Sequence, residues 1–263
     1  MAYESVVYWL KEEGIATVMI DNPPVNTLSS DVIQQLTEVM EEVERDPEVI
    51  VVIITGNGDK SFVAGGNIKE FPEWMGKGAG YAETKSKWLQ HPLNKIDRLL
   101  KPTIAAINGL ALGGGCELAL SCDLRVAEEQ VLIGLPEVKL GLFPGAGGSQ
   151  RLPRLIGEGK AKEMMFMGEP ITAHEAKNIG LVNFVVPQGR ALEKAKEVAK
   201  RISQFSLPSL SLMKKAIMEG GTVPLEEGLH IEAKYFGQVF QTEDVREGVT
   251  AFIEKRKPKF THR

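Results

Sequence analysis

Three consecutive glycines, Gly113, Gly114 and Gly115, limit what this chain can fold into more than any other feature. Before them, Thr103-Ile-Ala-Ala-Ile107 is an apolar β-type run, and after them Cys116 to Leu120 reads as the start of a buried helix. The stretch from Asn108 to Asp123 is therefore a strand, a bare backbone turn and a helix N-terminus. Glycine lets the main chain approach another group closely, and the first amides of a helix have no internal partner. Such a turn can donate N–H bonds to a negative oxygen. Glu117 follows within the first helical turn, among uncharged neighbours, where burial raises a carboxyl's pKa and suits it to proton transfer. The ordinary reading of the same residues is a tight turn and an acid that complements the helix dipole. The rest of the chain has to decide between them.

On the N-terminal side, Val6 to Leu10 and Ile15 to Ile20 are β-rich runs around Lys11-Glu-Glu-Gly14, which predicts a hairpin. Ser29 or Ser30 caps a helix whose apolar positions Val32, Ile33, Leu36, Val39, Met40 and Val43 share one face. Val49 to Thr55 is an unbroken β-branched run, expected of a strand covered on both faces in a parallel sheet. Strand, helix and strand in this order imply a right-handed crossover. Gly56 to Lys69 is a second glycine-rich turn after a strand. Glu70 to about Pro92 lacks clean periodicity and is expected to be a mobile segment over a pocket, followed by a short helix from Asn94 to Leu100.

After the organising turn, Leu124 to Ala127 and Val131 to Ile133 read as two more short strands, so a strand pair plus helix recurs without any strict sequence repeat. Gly134 to Arg151 is a third loop punctuated by glycine and proline, and it contains Glu137. Helices follow at Gly159 to Met167 and from Thr172, where Thr172-Ala-His-Glu175 fits a capping box. Leu181 to Val186 is the last strand. From Ala191 onward the pattern is helical, at Leu192 to Ile202, Leu207 to Met218, Leu225 to Phe240 and Asp244 to Lys255. The expected division is thus a core over 1–190 and a helical region over 191–263.

The bulk numbers exclude several classes. With 263 residues, 43% hydrophobic and 25% charged, the chain is long enough to bury a sizeable core. A formal net charge of -4 and a pI near 5.7 argue against nucleic acid as a partner. Cys116 and Cys122 lack zinc-site spacing and read as reduced core thiols. The start, Met-Ala-Tyr-Glu-Ser, has no leader pattern and no run approaches membrane-spanning length, so the expectation is a cytoplasmic protein with no membrane partner.

Several catalytic motifs fail. Gly145-Ala-Gly147 begins like a dinucleotide fingerprint, but Gln150 stands at the third glycine position. Asp59 interrupts the phosphate-loop-like Gly58 to Ser61, and no Gly-x-Ser-x-Gly elbow occurs. His91, His174, His230 and His262 form no ligand pair, so no metal site is expected. What remains is Glu117 and Glu137, each attached to a glycine-rich turn, with a further such turn at Ala64. That set suits a reaction in which a carbonyl oxygen gains negative charge while protons move at neighbouring carbons.

Three blocks in order, Phe62-Val-Ala-Gly-Gly-Asn-Ile-Lys69, Asn108 to Glu117, and Leu135-Pro-Glu137 with Pro144-Gly-Ala-Gly-Gly-Ser-Gln-Arg-Leu152, resemble the enoyl-CoA hydratase/isomerase (crotonase) family. The similarity runs essentially end to end and closes with Phe252 to Phe260. It implies an α/β fold, a crotonase-type spiral of ββα units with a C-terminal helical trimerisation region, usually assembled as a homohexamer, a dimer of trimers. It also implies an acyl-CoA thioester as substrate, with CoA part of the substrate and no separate cofactor.

Carried over by position, the N–H groups of Ala64 and Gly114 match the family's oxyanion hole. Ala64, Gly65, Gly66, Asn67 and Ile68 match the stretch along the CoA adenine and pantetheine, and Gly145 matches a loop glycine beside the catalytic water. Lys255 falls where a neighbouring subunit's lysine approaches CoA phosphates. Fold membership alone leaves hydration, isomerisation and other reactions open, as well as a non-catalytic RNA-binding or scaffold role. Glu117 and Glu137 occupy both glutamate positions of the hydratase pair, which favours hydration. Asn67 stands where the family often has aspartate. Trp74, Met75, Trp88 and Met164 to Met167 could line an acyl pocket, core packing being the default for the methionines.

Overall fold

The computed structural model of the chain describes residues 6–262. The reading of the first five residues lies outside them. The hairpin forms between β1 (Val7–Glu12) and β2 (Ile15–Ile20), paired antiparallel with Glu12 opposite Ile15. Helix α1 (Ser30–Arg45) is capped by Ser29, whose side chain accepts from Val32 N at 3.4 Å, and it buries all six residues of the apolar face. β3 (Val51–Gly56) is buried along its whole length, as an unbroken β-branched run should be between two layers.

Three ββα units follow. The first comprises β3, β4 (Ser61–Ala64) and α2 (Ala79–Arg98), and the second β5 (Thr103–Ile107), β6 (Leu110–Leu112) and α3 (Gly114–Leu120). The third has β7 (Leu124–Glu128), β8 (Leu132–Gly134) and α4 (Gly148–Ile156). The first strand of each unit enters a six-stranded sheet ordered β1-β2-β3-β5-β7-β10, parallel beyond the hairpin and closed by β10 (Phe184–Val186). The second strand enters a small sheet, where β4, β6 and β8 run parallel and β9 (Ile171–Thr172) pairs antiparallel at the edge. The expected spiral of ββα units is present. Between the units' end and β10 come α5 (Glu158–Met167), with Met164 in the core, and α6 (Ala173–Asn178), opened by the Thr172–Glu175 capping box.

The structure adds order where the sequence showed only glycine. β4 and β6 lie in stretches read as turns, and α4 begins inside one. Strands of three or four residues are too short to display a period, and pairing with neighbours makes them strands. Likewise, the expected irregular stretch before Pro92 and short helix after it are largely one helix. α2 runs unbroken through Pro92, preceded by a 3₁₀ segment, Ile68–Trp74. Only Pro92, Leu93 and Ile96 of α2 are buried, so its apolar periodicity exists only near its C-terminus. Strand β10 starts at Phe184 because Leu181 and Val182 both donate to the Ala176 carbonyl in a turn.

The C-terminal helices are α7 (Ala191–Ile202), α8 (Leu207–Gly220), α9 (Leu225–Val239) and α10 (Glu243–Ile253). α7 packs Ala191, Ala195, Val198 and Ala199 against Ile53, Ile104 and Val126 of the large sheet, so it covers the sheet's outer face rather than standing off it. The helices that extend beyond the sheet begin at α8, tied back by Lys214 Nζ to Asp123 Oδ2 at 2.8 Å. Both cysteines are free and buried. Burial pushes the Cys122 thiol up to about 12 and Cys116 higher still, which leaves both inert. Among the described residues no helix is long and apolar enough to cross a membrane.

Candidate active site

The parallel register of the small sheet gathers the site. Ala64 lies opposite Leu112, and Leu112 opposite Gly134. The turns that leave β4, β6 and β8 therefore emerge side by side, carrying Gly65-Gly66, Gly113-Gly114 and Glu137. α3 sits directly on β4: a Cβ built on Gly115 would stand 1.8 Å from the Val63 carbonyl oxygen, so no larger residue fits there.

Of the two expected oxyanion donors, one is corrected. The Ala64 N–H is already engaged, donating to the Val25 carbonyl at 3.1 Å, and so is not free for a second acceptor. The candidate in its place is the Gly66 N–H. The Gly65 carbonyl accepts from Leu28 N at 2.9 Å, and in a planar trans peptide the following N–H points the opposite way. The Gly66 N–H thus points away from the Leu28 amide, and its nitrogen lies close to the Gly113-Gly114 turn, 3.5 Å from where a Cβ on Gly114 would be. Neither Gly66 N–H nor Gly114 N–H donates to any group among the described residues. Ala64 and Gly66 both lie in the expected 64–68 stretch, and their residue types do not tell the engaged amide from the free one. Hydrogen bonding to the 25–28 segment, which no local pattern encodes, separates them.

Glu117 is 3% exposed, and its Oε1 accepts from Ala146 N and Gly148 N, each at 2.8 Å. Burial pushes its carboxyl above the ordinary value. The Gly148 and Ala146 amides and the Arg151 guanidinium pull in the opposite direction by favouring the anion. Its Oε2 accepts no hydrogen bond from any described residue.

Glu137 opens a short 3₁₀ turn, Glu137–Leu140. Its Oε2 is buried without a hydrogen-bond partner among the described residues. Its Oε1 is 3.3 Å from where a Cβ on Gly113 would be, which places this carboxyl against the glycine turn. Burial, with repulsion from Glu117 adding to it, raises the Glu137 carboxyl to about 7. The two glutamates, the two unpaired N–H groups and the 144–148 loop form one cluster.

A model of the enoyl-CoA hydratase/isomerase family matches residues 10–263. The chain belongs to the enoyl-CoA hydratase/isomerase family. It is 44% identical over 251 residues to a short-chain-enoyl-CoA hydratase of Clostridium acetobutylicum, covering 94% of each protein. It is 43% identical to a crotonyl-CoA hydratase of Syntrophomonas wolfei, covering 99% of each. The crystal structure of an enoyl-CoA hydratase from Bacillus anthracis superimposes with a TM-score of 0.92 at 38% identity, over 98% of this chain and 100% of that one. The fold is thus the crotonase-type spiral.

The remaining expected residues of this enoyl-CoA hydratase/isomerase family member sit as follows. The Gly145 carbonyl accepts from Ser86 Oγ at 2.7 Å and Gln90 Nε2 at 3.0 Å, while its N–H donates to no described residue. Asn67 donates its N–H to the Leu28 carbonyl at 3.2 Å and its Nδ2 to Glu70 Oε1 at 2.8 Å. Glu70 also accepts from Ser30 Oγ at 2.8 Å, so Asn67 lies against a carboxylate that is held on its other side as well. Ile68 is half exposed at the mouth of the turn. Lys255 lies just beyond α10, exposed, with no ion pair to the cluster among the described residues. Met75 and Met167 are exposed, whereas Trp88 packs against the core. Ser86 and Gln90 carry no signal in the sequence other than their four-residue spacing.

Proposed function

We propose that the protein is an enoyl-CoA hydratase, adding water syn across the 2-trans double bond of an enoyl-CoA thioester to give a 3-hydroxyacyl-CoA, as in fatty-acid β-oxidation. The observation that carries this reading is the difference between the two carboxyls. Glu117 has one oxygen held by two backbone N–H groups, which favours the anion, and a second oxygen left for water. Glu137 has a buried oxygen with no donor, which favours the neutral acid.

In this mechanism Glu117 holds water and takes its proton as the oxygen attacks Cβ. The thioester carbonyl becomes an enolate whose oxygen accepts from Gly66 N–H and Gly114 N–H. Glu137 then delivers its proton to Cα as the enolate collapses. Each positioned acid or base contributes on the order of 100- to 10,000-fold, and each oxyanion donor roughly 100- to 1000-fold. The short-chain and crotonyl names of the two relatives support a short acyl chain.

The stretch from Ala64 to Ile68 lies along the adenine and pantetheine of CoA, and Lys255 approaches CoA phosphates of a neighbouring subunit. The assembly is a homohexamer, a dimer of trimers, in the cytoplasm. Exposed Ile217, Phe236, Phe252 and Ile253 on the helices from α8 to α10, each more than 60% accessible, support such association.

The test follows the absorbance of the conjugated thioester of crotonyl-CoA with wild type, Glu117→Gln and Glu137→Gln. Turnover by wild type with a loss of several orders of magnitude in each variant sustains the reading. Binding without water addition by wild type overturns it, and double-bond migration in its place assigns the isomerase reaction.

A further inference from the structure

Helix α2 carries Ser86, Gln90, Asn94 and Asp97, spacings that put all four on one helix face. That face meets the loop which holds Glu117. Ser86 Oγ donates to the Gly145 carbonyl at 2.7 Å, and Gln90 Nε2 donates to the same oxygen at 3.0 Å and to Ser86 Oγ at 3.2 Å. Further along, Asn94 Oδ1 and Asp97 Oδ2 accept from Arg151 at 2.7 and 3.3 Å, and Arg151 donates to the Ala146 carbonyl at 3.3 Å. α2 thus grips two successive carbonyls of the loop, directly at 145 and through Arg151 at 146.

The Gly145 carbonyl and the Ala146 N–H belong to one planar peptide. Its oxygen faces α2, and its N–H donates to Glu117 Oε1 at 2.8 Å. Donors on a peptide oxygen polarise the unit and strengthen its N–H as a donor. We propose that Ser86 and Gln90 are positioning residues for Glu117, fixing the 145–146 peptide plane from outside the site and strengthening its hydrogen bond to the carboxylate. This rests on Glu117 being the carboxylate that activates water.

The charged and titratable groups facing Glu117 are few. α4 supplies Arg151, the turn after β8 supplies Glu137, and the adjoining Cys116 thiol is neutral. α2 supplies Asp97, paired with Arg151. β4 and β6, which also pack on α3, carry no charged residue. Glu117 must be ionised to take a proton from water, so weakening its donors favours the neutral carboxyl and costs rate first at low pH.

The experiment compares wild type with Ser86→Ala, Gln90→Ala, the double variant and Ser86→Thr. It reads kcat and KM for crotonyl-CoA hydration from pH 5 to 9, with circular dichroism to check the fold. In the double variant kcat falls roughly tenfold at neutral pH. KM stays within about twofold because no thioester contact is lost. The acid limb moves up by several tenths of a pH unit. Ser86→Thr keeps the hydroxyl and behaves as wild type. A folded double variant with the wild-type kcat and acid limb overturns the proposal, as does a loss confined to KM. A carboxyl titration by ¹³C NMR, with Glu117→Gln identifying the resonance, reads the same shift without turnover. If wild type does not hydrate crotonyl-CoA, this titration still judges the relay separately from the reaction.

Discussion

Gly148 donates its N–H to Glu117 Oε1 at 2.8 Å, and a Cβ on Gly148 would stand 3.0 Å from Glu117 Cγ and 3.1 Å from that same oxygen. The same Cβ would be 2.9 Å from Pro144 Cβ. One residue therefore has to offer its amide and have no side chain. Gly148→Ala pushes the carboxylate off its two donors. The expected result is a loss of roughly 100-fold in kcat, from a displacement on the order of 1 Å. Overpacking adds a stability loss of about 1 to 3 kcal/mol, read by urea unfolding.

The assignment of Gly66 rather than Ala64 as oxyanion donor separates two variants sharply. A Cβ on Gly66 meets nothing nearer than Phe71 Cζ at 4.0 Å, so Gly66→Ala keeps the N–H and retains activity within a few-fold. Replacing the 65–66 amide by an ester through semisynthesis removes the N–H while leaving the Gly65 carbonyl a weaker acceptor for Leu28 N, and kcat falls roughly 100- to 1000-fold. The same replacement at residue 64 breaks the bond to Val25 and lowers stability with little effect on kcat per folded molecule. Equal kcat losses at both positions would sink the assignment.

The Glu137 carboxyl, raised from 4.5 to about 7, gives two pH signatures. As the proton donor in hydration it must be neutral, so kcat declines above about pH 7 and Glu137→Gln lacks that limb at its residual rate. For stability, a raised folded pKa means that the folded state binds the proton more tightly than the unfolded state. Stability is then greatest below pH 4.5, falls between 4.5 and about 7, and levels off above. At pH 8, Glu137→Gln is more stable than wild type by on the order of 2 kcal/mol, allowing for partial exposure, and near pH 4.5 the difference disappears.

Asn67 and Glu70 make a hydrogen bond that aspartate at 67 would turn into repulsion. Asn67→Asp loosens the 3₁₀ segment Ile68–Trp74 and costs about 1 kcal/mol, measured as a lower urea midpoint. Adding Glu70→Gln restores a donor opposite the new carboxylate and recovers most of the loss. A double-mutant cycle with zero coupling would show the contact to be energetically silent.

Local chemistry wrote much of this molecule into its sequence. The β-branched run at β3, the six-residue apolar face of α1 and the Thr172–Glu175 capping box depend on neighbours in the chain, so periodicity and caps reveal them. The ordered blocks around Gly66, Glu117 and Glu137 marked the family. Hidden were β4, β6 and α2, because short strands exist through their partners and a helix gripped by polar contacts has little apolar period.

Within the site, the sequence determined which groups are present: two carboxyls and glycine turns able to present bare amides. The tertiary structure decided which amide is free and which carboxyl has an oxygen held by two backbone donors. Gly66 N–H is available because the Gly65 carbonyl is taken by Leu28, and Glu117 is cradled because the 144–148 loop wraps onto it from beyond β8. Both outcomes depend on hydrogen bonds between segments 29 or more residues apart, where a donor's direction is set by its partner and not by the identity of its own residue.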